Sequence, residues 1–295
     1  MIQTSKLITK HIIQFLLTIV GIGFITALSF SLFLPKGERL SELWNQLQIF
    51  FWSFFYFKDL EVIMNVQELI YVPFYTVLKE PYVYSLTILF AAFICSIIAA
   101  LLLSYITYMA PKVVKKIIHS LLFFLQSVPD VVMIAGLQIV LFWIFNKTGV
   151  MIIDPIAGLE SNVYILPIFV VSIIPTIQLF QMIYLSINEE EIREYVEYAR
   201  AKGLSKSWVL VRHILRNVTI TLLTNTKLIF WVIISNLFIV EFLLNMKGYF
   251  SFLFKNTSSP EIFFMSLVLL FIPFFILDLI FKYIVNRLRG VSEFI

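Results

Sequence analysis

The chain is poor in the residues that make chemistry. It has one cysteine, Cys95, so no disulfide can form within it and no cysteine cluster can hold a metal. Its three histidines, His11, His119 and His213, have no ligand-pair spacing. No Gly-x-x-x-x-Gly-Lys-Ser/Thr string occurs, so any ATP must be bound and hydrolysed by another polypeptide. Charged residues make up 14% of the 295, against roughly a quarter in water-soluble domains. The basic residues form no stripe interleaved with aromatics, so the net charge of +4 does not describe a nucleic-acid surface. These absences predict a chain with no catalytic, cofactor-binding or metal site, and not an enzyme by itself.

What is present is apolar: 60% of the residues are hydrophobic and the mean hydropathy is +0.95. Apolar runs cover about residues 12–34, 82–109, 119–145, 163–187, 218–244 and 262–285. Helices of that length cross a hydrocarbon core of about 30 Å. Backbone groups in lipid need internal partners, and the ten-residue alternation of a barrel strand is missing, so the expected fold is all-α. It is a polytopic membrane helical bundle of about six transmembrane helices. Residues 1–81 would hold the first of these plus a long extracytoplasmic segment, and residues 82–295 the other five. Lys6 and Lys10 precede the first run and no small-residue cleavage site follows it, so this run is expected to be retained rather than removed as a signal.

Alternate connecting segments, starting from the N-terminus, hold roughly twice as many Lys and Arg as those on the other side, which predicts cytoplasmic termini in the cell membrane. Lys112, Lys115 and Lys116 in one short connection are the sharpest marker of that orientation. The aromatic stretch within Gln46–Phe57 is too short to span and is expected to lie at the outer interface or re-enter, with a seventh crossing as the alternative. Pro129, Pro167, Pro175 and Pro273 should bend their helices, either as tolerated kinks or to line a pathway.

Asn188 to Arg216 is the one long charged stretch. Ile192, Tyr195, Val196 and Ala199 recur at the spacing of one helix face, which predicts an amphipathic helix. Its acids gather at the start and its bases toward the end, as the helix dipole favours, and Gly203 can take the left-handed turn that stops it. Trp208, Val211 and Leu215 then give a second apolar face. Such an element could dock in a partner's groove or lie on lipid, and periodicity alone leaves both open.

Glu197-Tyr198-Ala199-Arg200-Ala201-Lys202-Gly203-Leu204-Ser205, followed by Arg212-His213-Ile214-Leu215-Arg216-Asn217, resembles the cytoplasmic signature loop of ABC importer permeases of the oligopeptide, dipeptide and nickel class. Weaker matches at Ser127-Val128-Pro129, Glu241-Phe242, Gly248 and Asp278 extend the likeness from about residue 80 to the end. The resemblance implies that about residues 188–216 form a coupling loop seated in a cytoplasmic ATPase, through Glu197, Tyr198, Ala199, Arg200, Lys202, Gly203, Leu204 and Ser205. Glu197 and Ala199 fall on the acidic and small signature positions, Tyr198 replaces a usual small residue, and the small side chain would let the helix lie close to the partner. The implied assembly has a second permease subunit (identical or not), two ABC ATPases that bind the ATP, and an extracytoplasmic solute-binding protein. The implied cargo is an oligopeptide or dipeptide, with metal chelates or other small solutes behind it. The chain departs from the class in lacking Pro-Gly-Asp-Pro after the first span, Pro-Gly-Leu-Gly at 245–249, and a terminal Asp-Pro-Arg.

Lys227 and Glu241 in the fifth run and Asp278 in the sixth are charges at membrane depth and so candidate pathway residues. Lys227 and Glu241 are about 21 Å apart along one helix and cannot pair. Alternatively Lys227 snorkels inward, Glu241 reaches the outer interface and Asp278 is neutralised by Lys282. Gln178, Gln181, Asn225 and Asn236 suit interhelical bonding. Two other functions compete. A membrane protease would use Glu189, Glu190 and Arg193 as a Glu-Glu-x-x-Arg box, but the ligands that would activate a water are missing. A secondary transporter or channel would show midplane charge sites and internal repeats, and neither is clear.

Overall fold

The computed structural model describes residues 2–32, 34–35, 37–65, 70–149, 163–256 and 259–289. The helices are α1 (Ile2–Ser31), α2 (Arg39–Ser53), α3 (Phe74–Met109), α4 (Lys112–Ser127), α5 (Asp130–Thr148), α6 (Ile165–Glu191), α7 (Glu194–Ala201), α8 (Lys206–Val209), α9 (Leu215–Leu243), α10 (Tyr249–Lys255) and α11 (Pro260–Arg289), with strands β1 (Glu61–Asn65) and β2 (Ile70–Pro73) between α2 and α3. Six helical stretches among the described residues are long and apolar enough to cross a membrane: His11–Ser31, Phe74–Met109, Val131–Thr148, Ile165–Glu191, Lys206–Leu243 and Pro260–Leu288. The protein is an all-α multi-pass membrane bundle.

Three boundaries differ from the sequence expectation. The second span begins at Phe74 rather than 82 and runs through Pro81. The helix tolerates that proline because Phe74 and Leu78 are buried in a core cluster and hold the first turns in place. The expected third span is two helices. Val128 and Pro129 are both extended, since the proline ring disfavours helical geometry at the residue before it. α5 alone is the crossing there. α4 is a separate amphipathic helix that exposes Val113, Ile117, Leu121 and Phe124 along one stripe. Finally, the segment before α3 carries a two-stranded hairpin that the hydropathy pattern does not show. It pairs Glu61 with Pro73, Val62 with Val72 and Ile63 with Tyr71, and a bulge follows Ile63.

The chain forms two compact units. Met1–Tyr84 and Gly248–Leu279 make most of the first. Its core gathers Ala27, Phe50, Val62, Phe74, Leu78, Phe252 and Phe264. Phe50 stacks on Phe264 with ring centroids 4.5 Å apart. Gly23 lies against both rings, and a Cβ there would come within 3.3 Å of Phe264. α2, which contains most of the aromatic stretch, is about 22 Å long and too short to cross. Its buried side holds Gln46, Phe50 and Ser53, while Phe51, Trp52, Phe55 and Tyr56 are exposed, the division expected of an interfacial element.

The second unit is built chiefly from Ser85–Lys247. α6 packs against α9; Val170, Ile177, Phe180 and Ile183 are buried on the first, and Val218, Ile229, Phe230, Ile233 and Leu237 on the second. Gln181 donates to Gln126 at 2.8 Å and so links α6 to α4. Asn225 instead bonds Thr221 within its own helix.

Candidate functional site

The charged stretch folds as an elbow between α6 and α9. α6 runs on to Glu191, so Glu189, Glu190 and Glu191 close one helix instead of opening the next. They sit where the dipole disfavours acids, which corrects the reading that the dipole explains them. Ile192 lies outside both helices and is 80% exposed, so it is not part of the buried face. Arg193 is extended and turns the chain into α7, whose first turn holds Glu194 and Glu197 and does fit the dipole.

α7 is two turns long. It ends in a left-handed glycine cap: Gly203 has φ +80, its N–H bonds the Arg200 carbonyl at 2.9 Å, and the Leu204 N–H bonds that of Ala199 at 3.4 Å. Both bonds satisfy last-turn carbonyls, and only glycine takes this φ without steric cost. Ser205 then caps α8, its hydroxyl accepting from the Trp208 N–H. A five-residue π turn at Leu210–Ile214 joins α8 to α9. Extra turns of this kind interrupt α-helices most often at functional sites.

Val196 and Ala199 face inward, as do Val209, Leu210 and Ile214. Ala199 is 5% exposed, its small side chain packed within this chain. Glu197 and Lys202 are exposed. Tyr198 is 64% exposed, and the Lys202 ammonium sits 4.3 Å from the centroid of its ring. Trp208 and Val211 are also exposed, with Trp208 against His213. Apart from Ile192 and Val211, the large exposed side chains described on the elbow are aromatic or charged, and the inward-facing ones are aliphatic.

Arg200 turns back on its own chain. Its Nη2 donates to Glu191 Oε1 at 2.6 Å and to the Tyr108 hydroxyl at 3.1 Å. Tyr108 donates to the same carboxylate at 3.2 Å. The Glu191 carboxylate holds the guanidinium pKa above its usual value. Lys206 lies 4.3 Å from the Tyr108 ring centroid and donates to the Tyr108 carbonyl at 2.9 Å, a cation at the C-terminal end of α3. Tyr105 and Ser207 hydroxyls bond at 2.9 Å.

A second set forms at the other end of α7. Tyr195 donates to Glu190 Oε2, and Asn217 at the start of α9 donates to the same oxygen at 2.9 Å. Burial first, and then the bond to the Glu190 carboxylate, push the Tyr195 phenol up to about 12. Glu190 and Glu191 fall within the expected 188–216 loop and Asn217 ends its motif, but their bonds with Tyr108, Tyr195 and Arg200 are not legible in the sequence. Glu191 and Arg200 are not three or four residues apart, and Tyr108 belongs to another span, so no local spacing announces them.

The three membrane-depth charges differ in burial. Glu241 is fully buried and accepts from the Ser85 hydroxyl. Its carbonyl accepts from Met246, across a cap in which Asn245 takes φ 51. Lys227 is exposed near the middle of α9, and Asp278 is half-buried in α11. Among the described residues no group of His, Cys, Asp and Glu could hold a metal ion.

Residues 92–290 match the profile of the family described as "Binding-protein-dependent transport system inner membrane component". The curated protein "Dipeptide transport system permease protein DppB" of Haemophilus influenzae is 31% identical over 114 residues, 36% of this chain and 34% of that protein. The chain thus matches about a third of that relative's length. With more than half of its residues inside the family profile, and six apolar stretches among the described residues joined at the signature loop by a folded elbow, this chain belongs to the inner-membrane permeases of binding-protein-dependent ABC importers.

Proposed function

We propose that this permease forms half of the translocation pathway of an ATP-driven importer of short peptides, and that the α7 elbow is the surface that a cytoplasmic ATPase engages. The carrying observation is the outward face of α7. Glu194, Glu197 and Tyr198 are exposed on a two-turn helix that is closed at its far end by the Gly203 corner and packed on its inner side by Val196 and Ala199. An exposed aromatic among charges, on a short rigid helix, fits docking into a groove better than it fits lipid. No phosphate loop occurs in the sequence, so nucleotide chemistry falls to the partner.

The full assembly in this reading has a second permease, two ATPases and an external binding protein, and the elbow and both termini face the cytoplasm. Lys227 supports the second permease. A cation exposed near the middle of a spanning helix is costly against lipid and suits a face that closes on a partner or on a water-filled path. The peptide cargo rests on the relative's printed role in dipeptide transport. In the complete transporter, Gly203→Pro forces φ to about −65° where the corner needs a positive value, at a cost of about 3 kcal/mol. Gly203→Pro and Glu197→Arg should each abolish transport-linked ATP turnover while membrane insertion, checked by protease protection, stays normal. Coupled turnover unchanged in both variants refutes the docking role.

A further inference from the structure

Glu190 and Glu191 raise a question that docking leaves open. Acids on the last turn of a helix are disfavoured by its dipole, yet α6 ends on three of them. Glu189 is exposed. The other two are each engaged by α7 and by a second element. Glu191 holds Arg200 at the last turn of α7 and Tyr108 at the end of α3. Glu190 holds Tyr195 at the first turn of α7 and Asn217 at the start of α9. Both sets lie within one compact unit.

We propose that these two sets are latches that fasten α7 to the ends of α3, α6 and α9, so that a push on α7 moves three spans as one body. Glu190 and Glu191 are then positioning residues for coupling. The geometry carries the claim. One latch would leave α7 free to pivot about it. Tyr195 and Arg200 are five residues apart, which puts them about 140° apart around the helix and about 7.5 Å along it, so two latches remove both pivot and roll. Each contains a carboxylate accepting from two donors, a charge-assisted arrangement stronger than neutral bonds. The aliphatic contacts of Val196 and Ala199 lie between them and exclude water from the inner side. The π turn at Leu210–Ile214 stands between α8 and α9, and the direct bond from Asn217 to Glu190 bypasses it, so force need not travel through that irregular turn.

This inference rests on the docking reading, and two measurements separate them. In lipid nanodiscs without the ATPase, Glu191→Gln and Glu190→Gln should each speed amide exchange across residues 194–204 roughly tenfold, as expected for the loss of one charge-assisted bond. Exchange identical to the parent overturns the latches whatever the ATPase does. The second measurement uses the complete transporter with Cys95→Ser and spin labels at Ala201→Cys and Thr224→Cys. The parent should keep one α7 to α9 distance with and without vanadate-trapped ATP. The double variant Glu190→Gln/Glu191→Gln should bind the ATPase with parental affinity but broaden that distance when ATP is trapped. The exchange Glu191→Arg/Arg200→Glu should restore the single distance. A nucleotide-dependent distance in the parent, or an unchanged one in the double variant, overturns the latches and leaves docking standing. If the parent fails to bind the ATPase at all, the docking reading falls and the latches lose their role with it.

Discussion

The two compact units are held together by opposite means. The first relies on rings: Phe50 on Phe264, Phe74 edge-on to Phe57 at 5.6 Å, and Phe74 against Phe252 at 6.0 Å. The second relies at its elbow on directional bonds, including an Arg200–Glu191 ion pair whose side chains are 41% and 31% exposed. Rings packed in lipid or at its edge gain dispersion and shape fit but little direction, because lipid tails are as apolar as the rings. Bonds between charged and hydroxyl groups fix angles as well as distances. An anchor would suit the first kind of contact, and the proposed lever, which would have to deliver force along one line, the second.

The comparison breaks most visibly at Phe264. Phe264→Ala removes the ring that contacts Phe50, Phe54 and Gly23. It should lower stability by about 2–3 kcal/mol, at or below the lower end of the soluble-core range because the transfer contribution is small in lipid. Reversible unfolding in mixed micelles measures it, and a loss below 0.5 kcal/mol, roughly the surface-substitution level, would mean the rings are not the anchor.

A sharper cut compares two glycines. Gly203 is needed for its backbone, since φ is +80 and a Cβ would meet nothing within 4 Å, whereas Gly23 is needed for space beside Phe264. Gly203→Ala should cost about 1–2 kcal/mol of strain, with Gly203→Asn milder because asparagine tolerates the left-handed region. Gly23→Ala should cost about 1 kcal/mol and be relieved by adding Phe264→Leu, which cannot rescue position 203. Equal rescue at both sites would erase the distinction.

The smallest effect is a titration. Tyr195 is raised from the usual 10.0 to about 12. Its neutral form is thus favoured in the folded chain, and its contribution is complete below pH 10 and lost as pH rises through about 12. The ultraviolet difference spectrum between the parent and Tyr195→Phe should show a phenol ionising near pH 12. Ionisation near 10 would show that the Glu190 latch is open in solution.

The six apolar helices found among the described residues, the amphipathic elbow and its glycine corner were legible in the sequence because hydropathy, helical period and left-handed caps are properties of neighbouring residues. The two roles of Glu190 and Glu191 were not. Their partners Tyr108 and Asn217 are 83 and 27 residues away from Glu191 and Glu190, and only the packing of α6 against α9 and the return of α3 bring them together. Tertiary contacts likewise decided that the helix runs through Pro81 and that Glu241 is buried against Ser85. The physical reason is common to all of these. Local sequence sets what a segment prefers in isolation, whereas burial and partners supplied by distant segments settle which preference is kept.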